Sequence, residues 1–355
     1  MRESVCVLIP LQRAQAAIRT LRKLRLIDDS LEFTRTEAGL FIPLLHEPTS
    51  EDTASIKEQC DHITTQRELF TESPRKPQTL RETLRNKIPA SFISSLPTSF
   101  DVVGDISIIE LPEELGHYAF SIGSEILRLN PSIRLVLQKK SEIAGKFRTR
   151  QFLAIAGTGT TETLYREFSC RYRLNVGKVY FNPRLSHERM RVAAQVGVSE
   201  CVVDMFAGVG PYSILIAKMQ ADAKVHALDL NPDAYRYLKE NIFLNRVADR
   251  VIPTLGDARE LVEKKLRGTA SRVIMNLPTE ALGFIDAAVA ALGPNGGTIH
   301  YYTFASRDDE IVALKDVFQK AVKSCGRVVR EFSFCKPIKE VAPNRVQVAA
   351  DAVVV

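Results

Sequence analysis

The run Val202-Val203-Asp204-Met205-Phe206-Ala207-Gly208-Val209-Gly210-Pro211 is an apolar strand that passes through two glycines into a helix starting at a proline. Gly208 and Gly210 remove the side chains that would hold a ligand off the backbone, and Pro211 suits a first helical position. Such a turn can cradle a nucleotide at a helix N-terminus, or it can be a tight βα turn that binds nothing. Two carboxylates favour the ligand. Asp229 closes the next strand, where it can accept both hydroxyls of a ribose. Asp257, in Leu255-Gly256-Asp257-Ala258, follows the third strand and can accept from an adenine amino group. Either aspartate alone reads as a helix N-cap. In succession, beside a turn lacking the third glycine of the dinucleotide fingerprint, they fit S-adenosyl-L-methionine better than a nicotinamide dinucleotide.

A fourth strand ends in Met275-Asn276-Leu277-Pro278. This turn is similar to that of methyltransferases acting on ring or amino nitrogens of bases: Asn276 offers a flipped base both a donor and an acceptor, and the proline stiffens the turn. It also reads as a plain Asn-x-Pro turn. A ring nitrogen that still carries its proton, such as guanine N1, is a poor nucleophile, so its methylation needs a general base and stabilisation of the charge growing on O6. Glu188, at a helix start between basic neighbours, is the candidate base, and Arg148, in Gly145-Lys146-Phe147-Arg148-Thr149-Arg150, can offer a fork to O6. Taken alone, the first is a first-turn helix carboxylate and the second a solvated strand arginine.

These residues need elements to hold them, and three zones can be read. Residues 1–80 give a strand (Val5 to Ile9), a basic helix (Ala14 to Leu24) and a strand (Gly39 to Leu45), a small βαβ-like α/β module. Within that zone 48–80 is polar and reads as a linker or solvated helix. Residues 81–190 open with a helical pattern around Leu84 and Ile88. They continue with strands at Ile106 to Leu111, Ile133 to Leu137, Phe152 to Ala156 and Leu174 to Tyr180, an α+β zone. Residues 191–355, led in by a helix near Glu188 to Gln195, alternate strands and helices, which predicts an open parallel sheet wound on both faces. Ligands of such sheets sit beyond the carboxyl ends of the strands.

Bulk properties narrow the class. The 355 residues are 45% hydrophobic and 25% charged, an ordinary globular composition. The six cysteines form no C-x-x-C pair and have no histidine at ligand spacing, so reduced thiols, a cytoplasmic setting and no bound metal are expected. No apolar run approaches the ~18 residues of a membrane span. Charge is segregated: between Arg128 and Arg191 fourteen Lys and Arg face four Asp and Glu, while the whole chain carries only +6. A local excess of this kind suits a polyanion such as nucleic acid, or is merely a solvated basic face.

The motifs converge on one family. Phe-Arg-x-Arg at 147–150, Val-Tyr-Phe-x-Pro-Arg-Leu with Glu-Arg at 179–189, Asp-Met-Phe-Ala-Gly-Val-Gly-Pro at 204–211, Met-Asn-Leu-Pro at 275–278 and His-Tyr-Tyr-Thr at 300–303 together resemble the archaeal and eukaryotic-type tRNA guanine-37 N1-methyltransferases. The resemblance implies a Rossmann-type S-adenosylmethionine-dependent methyltransferase domain, an α+β RNA-binding platform and a small N-terminal module that reads the tRNA elbow. It implies that Glu188 is the base on N1, that Arg148 donates to O6, that Asn276 and Pro278 shape the guanine pocket and that Tyr180 stacks on the extruded base. Arg189, Phe206, Asp229, Leu230, Asp257 and Ala258 would hold the cofactor together with the two glycines, Gly208 and Gly210, and with Asn276. It also implies a monomer that works on the anticodon loop. Two other readings stay open: transfer of the aminocarboxypropyl group in the wyosine pathway, and a non-catalytic tRNA-binding protein that keeps the cofactor fold.

Overall fold

A computed structural model describes residues 1–57, 63–72, 79–141, 145–306, 309–342 and 344–355. The chain divides into two compact units, Met1–Thr83 and Leu84–Val355.

In the first unit β1 (Arg2–Ile9), β2 (Thr34–Thr36), β3 (Gly39–Pro43) and β4 (Thr64–Phe70) form a sheet in the order β2-β3-β1-β4. The helix Ala14–Lys23 buries Ala17 and Leu21 against Val7, Ile9, Ile42 and Leu44. The βαβ-like reading needs correction: β3 runs antiparallel to β1. The β2–β3 hairpin, itself part of the sheet, reverses the chain ahead of Gly39, where φ is +143°, so that β3 meets β1 head to tail. The polar stretch 48–80 is also more ordered than a linker. It contributes a helix at Ser50–Lys57 and all of β4, which pairs along β1 at the sheet edge. An edge strand with most of its residues exposed has no need of apolar side chains, so its composition hid it. Residues 58–62 and 73–78 of that stretch lie outside the described residues.

The described residues of the second unit hold three sheets. β5 (Asp101–Val103), β6 (Ile106–Ile109), β7 (Leu135–Lys139) and β8 (Phe152–Gly157) are joined in that order, with the helix Ala119–Leu129 packed on β7 and β8. β9 (Glu162–Glu167) and β10 (Cys170–Asn175) form a separate antiparallel hairpin. The strand expected at Leu174 to Tyr180 ends at Asn175. The Asn175 side chain accepts from the Gly177 amide at 2.9 Å and turns the chain out of the sheet, which leaves Tyr180 on a loop.

The third sheet runs β13-β12-β11-β14-β15-β17-β16. Its strands are β11 (Cys201–Asp204), β12 (Lys224–Asp229), β13 (Val251–Leu255), β14 (Arg272–Met275), β15 (Gly297–Ser306), β16 (Val329–Ala342) and β17 (Arg345–Val354). The first five are parallel, and the β16–β17 hairpin closes the far edge antiparallel. The expected parallel sheet is therefore present, with an antiparallel extension. The helix Pro211–Met219 is buried on nearly every side, as its apolar run requires, and Asn231 caps the helix Pro232–Asn245 by accepting from the Asp233 amide at 3.0 Å. That second helix also clips the β9–β10 hairpin to the sheet. Asn241 exchanges two hydrogen bonds with the Arg173 backbone (2.7 and 3.0 Å), and Asn245 does the same with Arg171 (2.9 and 2.6 Å). Two side-chain amides thus stand in for the neighbouring strand that β10 lacks on this side.

Among the described residues no helix is long and apolar enough to cross a membrane.

Candidate active site

Successive strands run outward from β11 in opposite directions, to β12 and β13 on one side and to β14 and β15 on the other. A crevice must open where the order reverses, at the carboxyl ends of β11 and β14. A cleft lies there. Its wall is built from the segments that follow four successive strands: Met205 to Gly208, Asp229 to Asn231, Gly256 to Ala258 and Asn276 to Pro278. Opposite chain segments add Lys146 to Arg148, Tyr180 to Asn182 and Arg189.

Gly208 sits in this wall with φ +58°, and an added Cβ would find its nearest protein atom only at 3.9 Å, the Tyr180 carbonyl oxygen. The backbone here faces open space of the sort a ligand fills. Gly210 does a different job from the one its spacing suggested. It does not line the cleft; its φ of +92° caps the Pro211–Met219 helix, and a Cβ would lie 2.6 Å from Leu238 Cδ1 and 2.9 Å from Ile214 Cδ1. It is a packing glycine.

Asp229 is half-buried, and burial pushes its carboxyl above the ordinary value while backbone hydrogen bonds oppose that rise. Its Oδ2 accepts from the Gly208 amide at 2.7 Å and its Oδ1 from the Asn231 amide at 2.8 Å. Each oxygen keeps a second lone pair for a hydroxyl. Asp257 is the helix N-cap of its sequence reading, its Oδ1 accepting from the Arg259 amide at 2.9 Å, and the residue also lines the cleft. Leu230, Ala258 and Phe206 complete this wall, with Phe206 edge-on to Phe284 at 5.1 Å. Arg189 also borders the cleft, but its guanidinium is spent as a brace. Nε and Nη2 donate to Glu167 at 2.6 Å, and Nη1 donates to the Asn182 carbonyl at 3.0 Å.

Arg148, Tyr180, Asn276 and Pro278 line the same cleft. Arg148 has φ +53°, a left-handed conformation that costs a non-glycine residue about 1 kcal/mol. Its guanidinium lies 5.8 Å from the Tyr180 ring centroid, and Nη1 donates to Thr279 Oγ1. Tyr180 keeps 38% of its surface exposed, enough to offer a face to a planar ring. Asn276 Oδ1 is approached by Gln347 Nε2 at 3.5 Å.

Glu188 is not where a base acting directly on a bound substrate should be. It is 6% exposed and absent from the cleft wall. Arg191 grips it with two donors (Nε 2.8 Å, Nη2 2.7 Å), and Tyr302 donates to its Oε1 at 2.7 Å. Its link to the cleft is indirect: Tyr212, which does line the cleft, donates to the Tyr302 hydroxyl at 3.2 Å. The motif His300 to Thr303 carries no role from sequence alone, and neither tyrosine hydroxyl stands out in it or in the helix after the glycine turn. No spacing rule joins residues 188, 212 and 302. Behind Glu188 the network continues. Arg191 also pairs with Asp351, which accepts from His300 Nδ1 at 2.7 Å, and His300 Nε2 accepts from Arg272 at 2.8 Å. Among the described residues no group of His, Cys, Asp and Glu could hold a metal ion.

A parallel sheet whose strand order reverses at the cleft, with a carboxylate at the end of its second strand, defines a Rossmann-type fold of the kind that takes a nucleoside cofactor. A family model described as the TRM5/TYW2 methyltransferase domain matches residues 163–332, and one described as the TYW2 N-terminal domain matches 80–160. Over 98% of its length the chain is 38% identical to 98% of the Pyrococcus abyssi protein named tRNA (guanine(37)-N(1))-methyltransferase Trm5b. The chain belongs to the TRM5/TYW2 methyltransferase family. Structures agree. The crystal structure of Trm5b from Pyrococcus abyssi superposes with a TM-score of 0.75 at 37% identity, covering 99% of each chain. The complex of aTrm5 and tRNALeu gives 0.68 at 32%, covering 98% of this chain and 99% of that one. The Pyrococcus horikoshii TYW2 bound to MeSAdo gives 0.65 at 29%, covering 78% of this chain and 97% of its own.

Proposed function

We propose that this chain transfers the methyl group of S-adenosyl-L-methionine to N1 of guanosine 37 in tRNA, beside the anticodon. One observation carries the reading. The residues suited to a nucleoside cofactor (Gly208, Asp229, Asp257) and those suited to a base (Arg148, Tyr180, Asn276, Pro278) line a single cleft. The likeness to Trm5b runs the length of the chain and so includes the N-terminal unit, and the tRNA in the aTrm5 complex supports tRNA as partner.

Asp229 would take the ribose hydroxyls, Asp257 the adenine amino group, and Phe206, Leu230 and Ala258 the apolar faces. The cofactor supplies an electrophilic methyl on a sulfonium. The base stacks on Tyr180 in the stiff Asn276-Leu277-Pro278 turn, and the Arg148 fork donates to O6 as negative charge gathers there. Positioning N1 in line with the methyl does much of the remaining work. The N1 proton passes to the Tyr212 oxygen as the Tyr212 proton moves to Tyr302 and the Tyr302 proton to Glu188, so each tyrosine ends neutral. Glu188 is thereby the general base through two hydroxyls. The anticodon loop is the working end of the substrate, the N-terminal unit reads the elbow, and the enzyme acts as a monomer in the cytoplasm.

Aminocarboxypropyl transfer would use the same cofactor and a similar sheet, so the by-product separates the two. Turnover on tRNA should release S-adenosylhomocysteine; release of methylthioadenosine would replace this reading with the other.

A further inference from the structure

A second cavity adjoins the cleft and shares Arg148, Tyr180, Phe181 and Asn182 with it. It is framed by β5, β7, the loop before the helix Ser186–Ala193, and the tip of the β16–β17 hairpin. The methyl-transfer reading leaves it unused. Its wall is cationic: Lys139, Arg148, Arg150, Arg184, Lys339 and Arg345 face only Asp101, Glu110 and Glu340. Asp101 pairs with Arg184 at 2.5 Å and Glu110 with Lys139 at 3.1 Å.

Lys339 records the imbalance. Burial, and then the charges of Arg184, Lys139 and Arg150, push its ammonium below the usual lysine range against the pull of Asp101. A half-buried ammonium in a wall with more cations than carboxylates is stabilised when an anion joins it. Arg345, at the hairpin tip, lies 4.7 Å from the Phe304 ring centroid, which leaves its exposed guanidinium edge to reach outward. An anion seated here would be next to a base stacked on Tyr180, because Tyr180 and Arg148 belong to both walls.

We propose that the second cavity is a phosphodiester subsite that holds the RNA backbone flanking the extruded guanosine, with Lys339 and Arg345 as its principal contacts. This rests on the reading of the cleft as a guanosine pocket. The subsite explains how a base can be held out of its stack: the adjoining phosphates are pinned beside it, which offsets part of the unstacking cost. Its contacts carry no base information, so it sets register and affinity rather than sequence preference.

The test is a double-mutant cycle between protein and RNA. Lys339→Ala, Arg345→Ala and the double variant are first checked for wild-type thermal melting. Binding is then measured across a potassium chloride series, using an anticodon stem-loop RNA and the same RNA with uncharged methylphosphonate linkages on both sides of guanosine 37. The double variant should bind the natural RNA about tenfold or more weakly, with a shallower salt dependence. Methylphosphonates should weaken wild-type binding by a similar factor but scarcely weaken the double variant further. Unchanged affinity in the double variant, or losses from protein and RNA changes that simply multiply, would overturn the subsite. Inorganic phosphate that competes with the natural RNA on the wild type, but not on the double variant, would support a phosphate contact; competition equal on both would count against it. Wild-type protein that shows the coupled loss yet never methylates the RNA would instead overturn the cleft reading and leave the subsite standing.

Discussion

The hydroxyl of Tyr302 sits between a buried carboxylate and the only route by which the described hydrogen bonds connect it to the cleft. If the N1 proton travels by that route, Tyr302→Phe should slow single-turnover methyl transfer much as Glu188→Gln does, by ~10²-fold. Cofactor affinity and tRNA affinity should change little in either variant. Full activity in Tyr302→Phe beside a crippled Glu188→Gln would mean that Glu188 leaves Arg191 and meets the base directly. Glu188 itself was legible in the sequence, from its type, its helix start and its family motif. Arg191, three residues further along the same helix, is a partner that helical spacing allows. Tyr302 on β15, and Tyr212 behind it on the helix after the glycine turn, were not legible, because which distant elements pack over a carboxylate is set by the assembled fold.

Strand ends and turns position the remaining groups, and the two glycines of the first turn show how far spacing can be trusted. Both adopt positive φ, yet only Gly208 borders the cleft. Gly210→Ala should therefore destabilise the fold by about 1–3 kcal/mol, from left-handed strain plus the collision with Leu238 and Ile214. Gly208→Ala, with open space beyond it, should cost less stability and more cofactor affinity. Denaturant unfolding and cofactor titration of both variants check this; equal effects on the two quantities would contradict the division. The order of strand, turn and helix from Cys201 onward was readable because parallel sheets enforce apolar runs between helical periods. β4 and the β9–β10 hairpin were not, since edge and surface strands can be polar and still pair. The Asn241 and Asn245 clips were equally hidden, as they look like ordinary polar positions on a helix.

Across the whole molecule, two buried groups make opposite contributions to stability as pH changes. Burial, reinforced by Asp229, pushes Asp204 up to about 7. It stays neutral in the fold while the unfolded chain ionises, so its contribution is lost as pH rises from about 4 to about 7. Burial holds His300 below its ordinary 6.5, despite Asp351. The unfolded chain binds that proton first, so this contribution is lost as pH falls below 6.5. Relative to wild type, Asp204→Asn should lose stability and His300→Gln should gain it on going from pH 7 to pH 5, each by up to ~1.4 kcal/mol per pH unit. Denaturant midpoints at the two pH values provide the measurement, and shifts of the same sign in both variants would refute the assignment. Sequence could place His300 in a motif, but a buried imidazole wedged between Asp351 and Arg272 is a property of the assembled sheet.

A cleft that brings a sulfonium methyl to N1 of a guanine beside the anticodon leaves a mark on the RNA. Mass-spectrometric nucleoside mapping of tRNA, after incubation with the purified protein and methyl-labelled S-adenosyl-L-methionine, reads that mark. Label is expected in 1-methylguanosine at position 37 and is lost in Arg148→Ala; label on any other base, or none from an otherwise folded protein, would mean that the cleft does different chemistry.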